Sequence, residues 1–152
     1  MTEPEPARSR TQRIADTRHR LEQDVDVWVA SAGPEGGAPY LTPLSFLWDG
    51  HAVLLSTPAT SPTGSNLAAT GTVRLGLGLT RDVVLVEGDV TWTEASDVEP
   101  EIGDAFAAKA GFDPRDDTGY RYFRVVPIKV SAWREVNELA GRVLMREGTW
   151  LD

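Results

Sequence analysis

The sequence predicts a mainly β domain, a small antiparallel barrel with peripheral helices, and three observations predict it. Apolar segments of five to ten residues recur from Val25 onward, separated by the Gly, Pro, Asp and Asn clusters that punctuate hairpins. Two helical interludes, residues 61–70 and 99–112, break this run, so strands do not alternate with long crossover helices as in a doubly wound α/β fold. Asp49-Gly50 lies between two apolar segments and makes them antiparallel neighbours, because those residues tolerate the positive φ of a type I′ turn.

The elements follow in chain order. The opening Glu3-Pro4-Glu5-Pro6 leads into an Arg-rich stretch with few apolar anchors, so residues 1–10 are expected to be mobile and 11–152 to form a single domain. Ile14 and Leu21, seven apart, lay a thin apolar stripe along a helix over 11–23. Strand one, 25–31, alternates Val25, Val27 and Val29 with Asp26, Trp28 and Ala30. A loose turn at Gly33-Pro34-Glu35-Gly36-Gly37 leads into strand two, 40–48, and the Asp49-Gly50 turn leads into strand three, 51–57. Strands four and five, 73–80 and 83–93, join across Arg81-Asp82. In the longer helix Ile102, Phe106 and Ala110 share a face, and Gly111 stands near its end. Strand six covers about 120–134, and the remaining residues return as a short strand.

Composition narrows the function classes. At 152 residues and 16.6 kDa the chain has the size of one domain, and 41% apolar with 25% charged residues is enough for a packed core. A net charge of −8 is the wrong sign for docking on a phosphate backbone, so no nucleic-acid partner is expected. No apolar run approaches the roughly 18 residues of a membrane span, and the polar start lacks the hydrophobic centre of a secretory signal. A cytoplasmic protein with no membrane partner is expected. The absence of cysteine excludes disulfides, thiolate metal sites and a Cys nucleophile. His19 and His51 lie far apart in unlike surroundings, so neither a metal-ligand set nor a Ser-His-Asp constellation is assigned. Thirteen of the fifteen basic residues are arginines, and Lys109 and Lys129 are the two lysines.

Two stretches invite chemistry. In strand four, Val73, Leu75, Leu77 and Leu79 point to one face while Arg74, Gly76, Gly78 and Thr80 point to the other. A face of bare backbone suits a bend, a partner subunit or a flat ligand. Gly76-Leu77-Gly78 is not a dinucleotide fingerprint, because no third glycine follows and no strand-to-helix turn is there. The second stretch, residues 56–67, leaves strand three and enters the short helix with many hydroxyls. Those side chains and the helix's free N–H groups form either an anion cradle or ordinary turn and cap positions.

The order and spacing of these pieces resemble the pyridoxamine 5′-phosphate oxidase-like flavoprotein superfamily. The residues are Trp28-Val29-Ala30-Ser31, then Pro39 to Gly50 with Pro43 and Asp49-Gly50, Leu54-Leu55-Ser56-Thr57, Asn66-Leu67 before Val73-Arg74-Leu75, and Val86-Glu87-Gly88-Asp89-Val90. Tyr122-Phe123-Arg124-Val125 and Val130-Ser131-Ala132-Trp133-Arg134 extend the match, which covers about residues 10 to 135. The resemblance implies a six- to seven-stranded antiparallel split β-barrel, homodimeric, with two cofactor sites at the subunit interface. Members bind FMN, actinobacterial branches use the deazaflavin coenzyme, and some hold haem or have lost activity. The Arg-over-Lys composition suits a GC-rich bacterium.

Carried over by position, Thr42, Pro43, Leu44 and Ser45 would lie along the flavin ring, and Ser56 and Thr57 would face the ribityl chain or phosphate. Ser61, Thr63, Ser65 and Asn66 would form the phosphate end, and Trp133 and Arg134 would reach across from the second subunit. Many relatives have a lysine and an arginine where this chain has Thr63 and Ser65. A phosphate held by neutral donors loses charge-assisted hydrogen bonds of about 1.5–3 kcal/mol each, unless an arginine such as Arg74 compensates. Three readings stay open: an FMN-binding oxidoreductase acting on a small-molecule substrate, a deazaflavin-dependent reductase, or a non-catalytic cofactor-binding or structural dimer. Pyridoxamine phosphate oxidation itself is not expected, because the carboxy-terminal segment is not basic. No residue is assigned a catalytic role, since a flavin carries the difficult chemistry itself.

Overall fold

The computed structural model of the chain describes residues 2–152. Helix α1 (Arg10–Gln23) is followed by β1 (Asp26–Gly33), β2 (Gly36–Trp48), β3 (Val53–Pro58), α2 (Pro62–Thr70), β4 (Thr72–Leu79) and β5 (Asp82–Glu94). Then come α3 (Pro100–Ala110), β6 (Tyr120–Trp133), β7 (Val143–Arg146) and β8 (Thr149–Trp150). The strands are ordered β3-β2-β1-β4-β5-β6, all antiparallel, and β3 also pairs with β6. That last pairing closes a six-stranded barrel, and β7 and β8 extend it beyond β6.

The two-residue period of the strands fills the interior. Val27 and Val29, Phe46, Leu55, Leu75 and Leu77, Val84 and Val86, Phe123 and Val125 are buried in one cluster. Helix α1 adds Ile14 and Leu21 to that cluster, and Ser9 caps its start by accepting from the Gln12 N–H. Beneath α3 lies a smaller core of Leu54, Ala95, Phe106 and Tyr122, in which the Phe106 and Tyr122 rings meet edge to face at 5.3 Å.

Three turns differ from the sequence reading. Strands β1 and β2 run on to Gly33 and Gly36, so the loose five-residue turn is the tight pair Pro34-Glu35. At Asp49-Gly50 only Gly50 has positive φ, so the turn is not type I′. The Asp49 carboxylate instead accepts from the N–H groups of His51 and Ala52, a side-chain turn that carries the loop to Val53. His51 therefore lies in the loop, and β3 starts two residues later than expected. Strands β4 and β5 join across Thr80-Arg81, with Leu79 opposite Asp82.

The alternation predicted for strand four also breaks at its end. Gly78 has φ +81°, and Leu79, expected on the face of Val73, Leu75 and Leu77, is 78% exposed. A bulge at Ile128 in β6 shifts the register against β5, so that Glu87 faces Lys129 and Gly88 faces Pro127.

Candidate functional site

Register across five strands sets side chains in rows on the outer face of the barrel. One row runs Pro43, Trp28, Gly76, Leu85, Ser131, and the next runs Leu41, Ala30, Arg74, Glu87, Lys129. Directly opposed residues share a face, so Trp28 and Leu85 flank the bare backbone of Gly76. A Cβ at Gly76 would meet the Leu85 side chain at 3.7 Å and the Trp28 Cβ at 3.9 Å, which are ordinary contacts. The glycine leaves this face flat. Gly78 is different: its positive φ and the nearby Arg20 guanidinium and Asp82 carbonyl exclude a side chain, so it serves the hairpin.

Arg74 and Glu87 stand in the middle of this face, with Arg74 Nη2 3.1 Å from Glu87 Oε1 and Lys129 Nζ 3.7 Å from Glu87 Oε2. A cleft opens on either side of the pair. One, of about 510 Å³, is bordered by Ala30, Ser31, Pro39, Thr72 and Asp89. The other, of about 310 Å³, is bordered by Leu85, Lys129, Ser131, Trp133 and Arg142. In the second, three cations face the single carboxylate of Glu87, and the Arg142 guanidinium lies 5.9 Å from the centre of the Trp133 ring. A protein of net charge −8 thus concentrates positive charge beside an aromatic wall.

The hydroxyl-rich segment is engaged with itself. Ser56 Oγ donates to the Arg121 carbonyl at 2.9 Å, and Thr57 Oγ1 lies 3.1 Å from Ser61 Oγ. Ser61 Oγ donates to the Pro58 carbonyl and caps α2 by accepting from the Gly64 N–H. Ser65 Oγ donates to the Ala59 carbonyl, and the Ser65 N–H goes to the Ser61 carbonyl. Asn66 Nδ2 donates to Ser31 Oγ at 3.2 Å, which ties α2 to the border of the larger cleft. Pro62 brings no N–H. Of the hydroxyls, Thr63 Oγ1 is buried without a hydrogen-bond partner among the described residues. The turn-and-cap reading therefore describes most of this segment, and positive charge lies instead on the outer face.

The other candidates divide by strand geometry. Thr42 and Leu44 stand opposite the buried Val29 and Val27 and face inward, whereas Pro43 and Ser45 face outward, with Ser45 Oγ donating to Asp26 at 2.8 Å. Trp133 shares a cleft with Arg74, but Arg134 turns toward the amino-terminal helix. Its N–H donates to Glu138 Oε1 and its Nε lies 3.4 Å from Asp82. The outer face thus brings together Pro43, Arg74 and Trp133 with Trp28, Glu87 and Lys129. Lys129 could have been found from Trp133, since Lys129, Ser131 and Trp133 follow the two-residue period. Arg142 comes from the β6–β7 connection, and no local pattern announces it.

Comparison with known proteins places this barrel. The family model described as pyridoxamine 5′-phosphate oxidase matches residues 15–136. The conserved hypothetical protein Rv2991 from Mycobacterium tuberculosis superposes with a TM-score of 0.65 at 20% identity, over 90% of this chain and 92% of that one. An F420 reductase gives 0.61 at 16% identity, over 75% and 94% of the two chains. HutZ, the haem storage protein from Vibrio cholerae, gives 0.62 at 12% identity, over 78% and 92%. Identities this low show a shared fold. No curated protein matches the sequence.

Proposed function

We propose, from the premise that this chain belongs to the pyridoxamine 5′-phosphate oxidase family, that it is a cytoplasmic, homodimeric bacterial oxidoreductase. It binds FMN at two interface sites and acts on a small-molecule substrate. The single observation that carries this reading is the outer face, where Trp28 and Leu85 flank the bare backbone at Gly76 and the Arg74, Lys129, Arg142 and Trp133 cleft adjoins. These residues fit the group. An apolar, flat surface receives a planar ring, Trp133 offers an aromatic wall, and the three cations supply the charge that a phosphate needs and that residues 56–67 lack.

When bound, the flavin ring supplies hydride or electron transfer. The chain's own residues bind and orient it: Arg74, Lys129 and Arg142 attract its anionic end, while Trp28, Pro43 and Leu85 exclude water from its apolar part. Ser56, Thr57 and Asn66 act behind this face through hydrogen bonds that hold β3 and α2 in place. No helix among the described residues is long and apolar enough to cross a membrane.

The grouping of three cations also favours a second reading, in which the same face takes the deazaflavin coenzyme, whose acidic tail is longer than a single phosphate. Titration of the purified protein with each cofactor, followed by absorbance and fluorescence, tests both. Arg74→Ala is expected to weaken FMN binding at least tenfold, the loss of about one charge-assisted hydrogen bond. Unchanged affinity removes Arg74 from the site, and no uptake of either cofactor leaves a non-catalytic dimer.

A further inference from the structure

Arg13 stands on the inward face of α1 with Ile14, Thr17 and Leu21, and it is 5% exposed. Every hydrogen bond of its guanidinium among the described residues ends on a main-chain carbonyl. Nη1 donates to Glu138 at 2.9 Å, to Gly141 at 3.3 Å and to Ala132 at 3.4 Å, Nη2 donates to Ala140 at 3.4 Å, and Nε donates to Arg8 at 3.2 Å. The Glu138 carboxylate is taken by Arg8. A charge buried in this way is costly unless its donors find partners, and the rigid fork of a guanidinium can meet several carbonyls at once. Four of the five carbonyls belong to Ala132 and to residues of the β6–β7 connection, 134–142.

The same connection delivers Arg142 to the cationic cleft. The Arg142 carbonyl accepts from the Ala132 N–H at 2.9 Å, and the Arg142 N–H and Nη1 donate to the Leu139 carbonyl at 3.4 and 3.1 Å. Ala132 thus meets both arginines, Arg13 at its carbonyl and Arg142 at its N–H, and its neighbour Trp133 is the aromatic wall of the cleft. Arg13 also grips the residues on either side of Leu139, so the carbonyl that steadies the Arg142 guanidinium is held with them. Arg13 itself lines neither cleft beside Arg74.

We propose that Arg13 is a positioning residue: from outside the cleft it seats the β6–β7 connection, and so holds Arg142 beside Trp133 for a bound phosphate group. The proposal rests on the reading of that cleft as the place of the cofactor's anionic end.

Arg13→Lys keeps the charge and the stem but loses the fork, and Arg13→Met suits the apolar surroundings if a lone ammonium unfolds the chain. Nitrogen–proton correlation spectra of the full chain, without cofactor, give the first readout. The Trp133 indole and Arg142 main-chain signals are expected to shift and the Ala132 amide to exchange about tenfold faster, while Val29 and Leu55 keep their rates. Inorganic pyrophosphate, titrated while the Trp133 indole signal is followed, gives the second. It is expected to bind about fivefold more weakly to the Arg13 variant and to Arg142→Ala, and no more weakly to the double variant than to Arg142→Ala, because both changes act through one group. Unmoved signals, exchange that quickens equally across the barrel, losses that multiply in the double variant, or a wild type in which pyrophosphate leaves Trp133 unmoved would each overturn the proposal. A wild type that binds pyrophosphate with the expected pattern of losses but takes up no FMN or deazaflavin contradicts the flavin reading and supports the role of Arg13.

Discussion

Glu138, at 2% exposure, accepts hydrogen bonds from the Arg8 N–H, Nε and Nη2 and from the Arg134 N–H. The Arg8 guanidinium is the main cause that holds its carboxyl down at about 2, against 4.5 for an unperturbed glutamate. The folded value is depressed, so the stabilisation is complete above about pH 4.5 and disappears as pH falls toward 2. Glu138→Gln is expected to cost about 3 kcal/mol at pH 7, and to flatten the fall in stability below pH 5, read from urea unfolding across that range. Arg8 and Glu138 are 130 residues apart, and no periodicity or motif joins them. Single-residue chemistry of this kind is the least legible part of a sequence. The expected mobility of residues 1–10 was read from composition alone, where this long-range anchor of Arg8 leaves no trace.

At the scale of elements, periodicity is a strong guide because it reflects a physical repeat. The burial of Val27 and Val29 in β1 and of Phe106 in α3 follows from spacing alone. Turns were harder to read, because a carboxylate's local hydrogen bonds at Asp49 outweighed the dipeptide's preference for type I′ geometry. The glycines of residues 33–37 suggest a loose turn, whereas Gly33 and Gly36 pair with each other and close the β1–β2 ladder. Gly88 stands in β5 beside the bulge in β6, and there the reason for glycine is space: a Cβ would collide with the Val125 side chain and stand 3.0 Å from the Val126 carbonyl oxygen. Gly88→Ala is expected to destabilise the fold by about 2 kcal/mol. Gly111→Ala meets nothing within 4 Å and bears only the strain of φ +82°, about 1 kcal/mol. Urea midpoints of the two variants check the order, which reverses if the bulge relaxes around the methyl group.

For the molecule as a whole, the antiparallel barrel was legible because apolar segments and turn residues repeat, whereas eight strands stand where six to seven are expected, and the β1–β4 and β3–β6 pairings that order and close the barrel join segments no hairpin connects. The site was half legible. Arg74 and Trp133 lie in strands whose alternation shows where they point, while the hydroxyls of residues 56–67 offered two readings that sequence alone leaves open. Trp28, 51% exposed, Leu41, Leu85 and Ile128 leave the outer face apolar around its charged centre, a surface of the kind that partners cover. Trp28→Glu is expected to separate the proposed dimer and to abolish cofactor uptake together, since both functions share the face. Sedimentation equilibrium of the purified protein is the most direct test of that shared face. The account requires a mass of about twice 16.6 kDa for the wild type and a monomer for Trp28→Glu. A wild-type mass of 16.6 kDa, unchanged when FMN or the deazaflavin coenzyme is added, contradicts it.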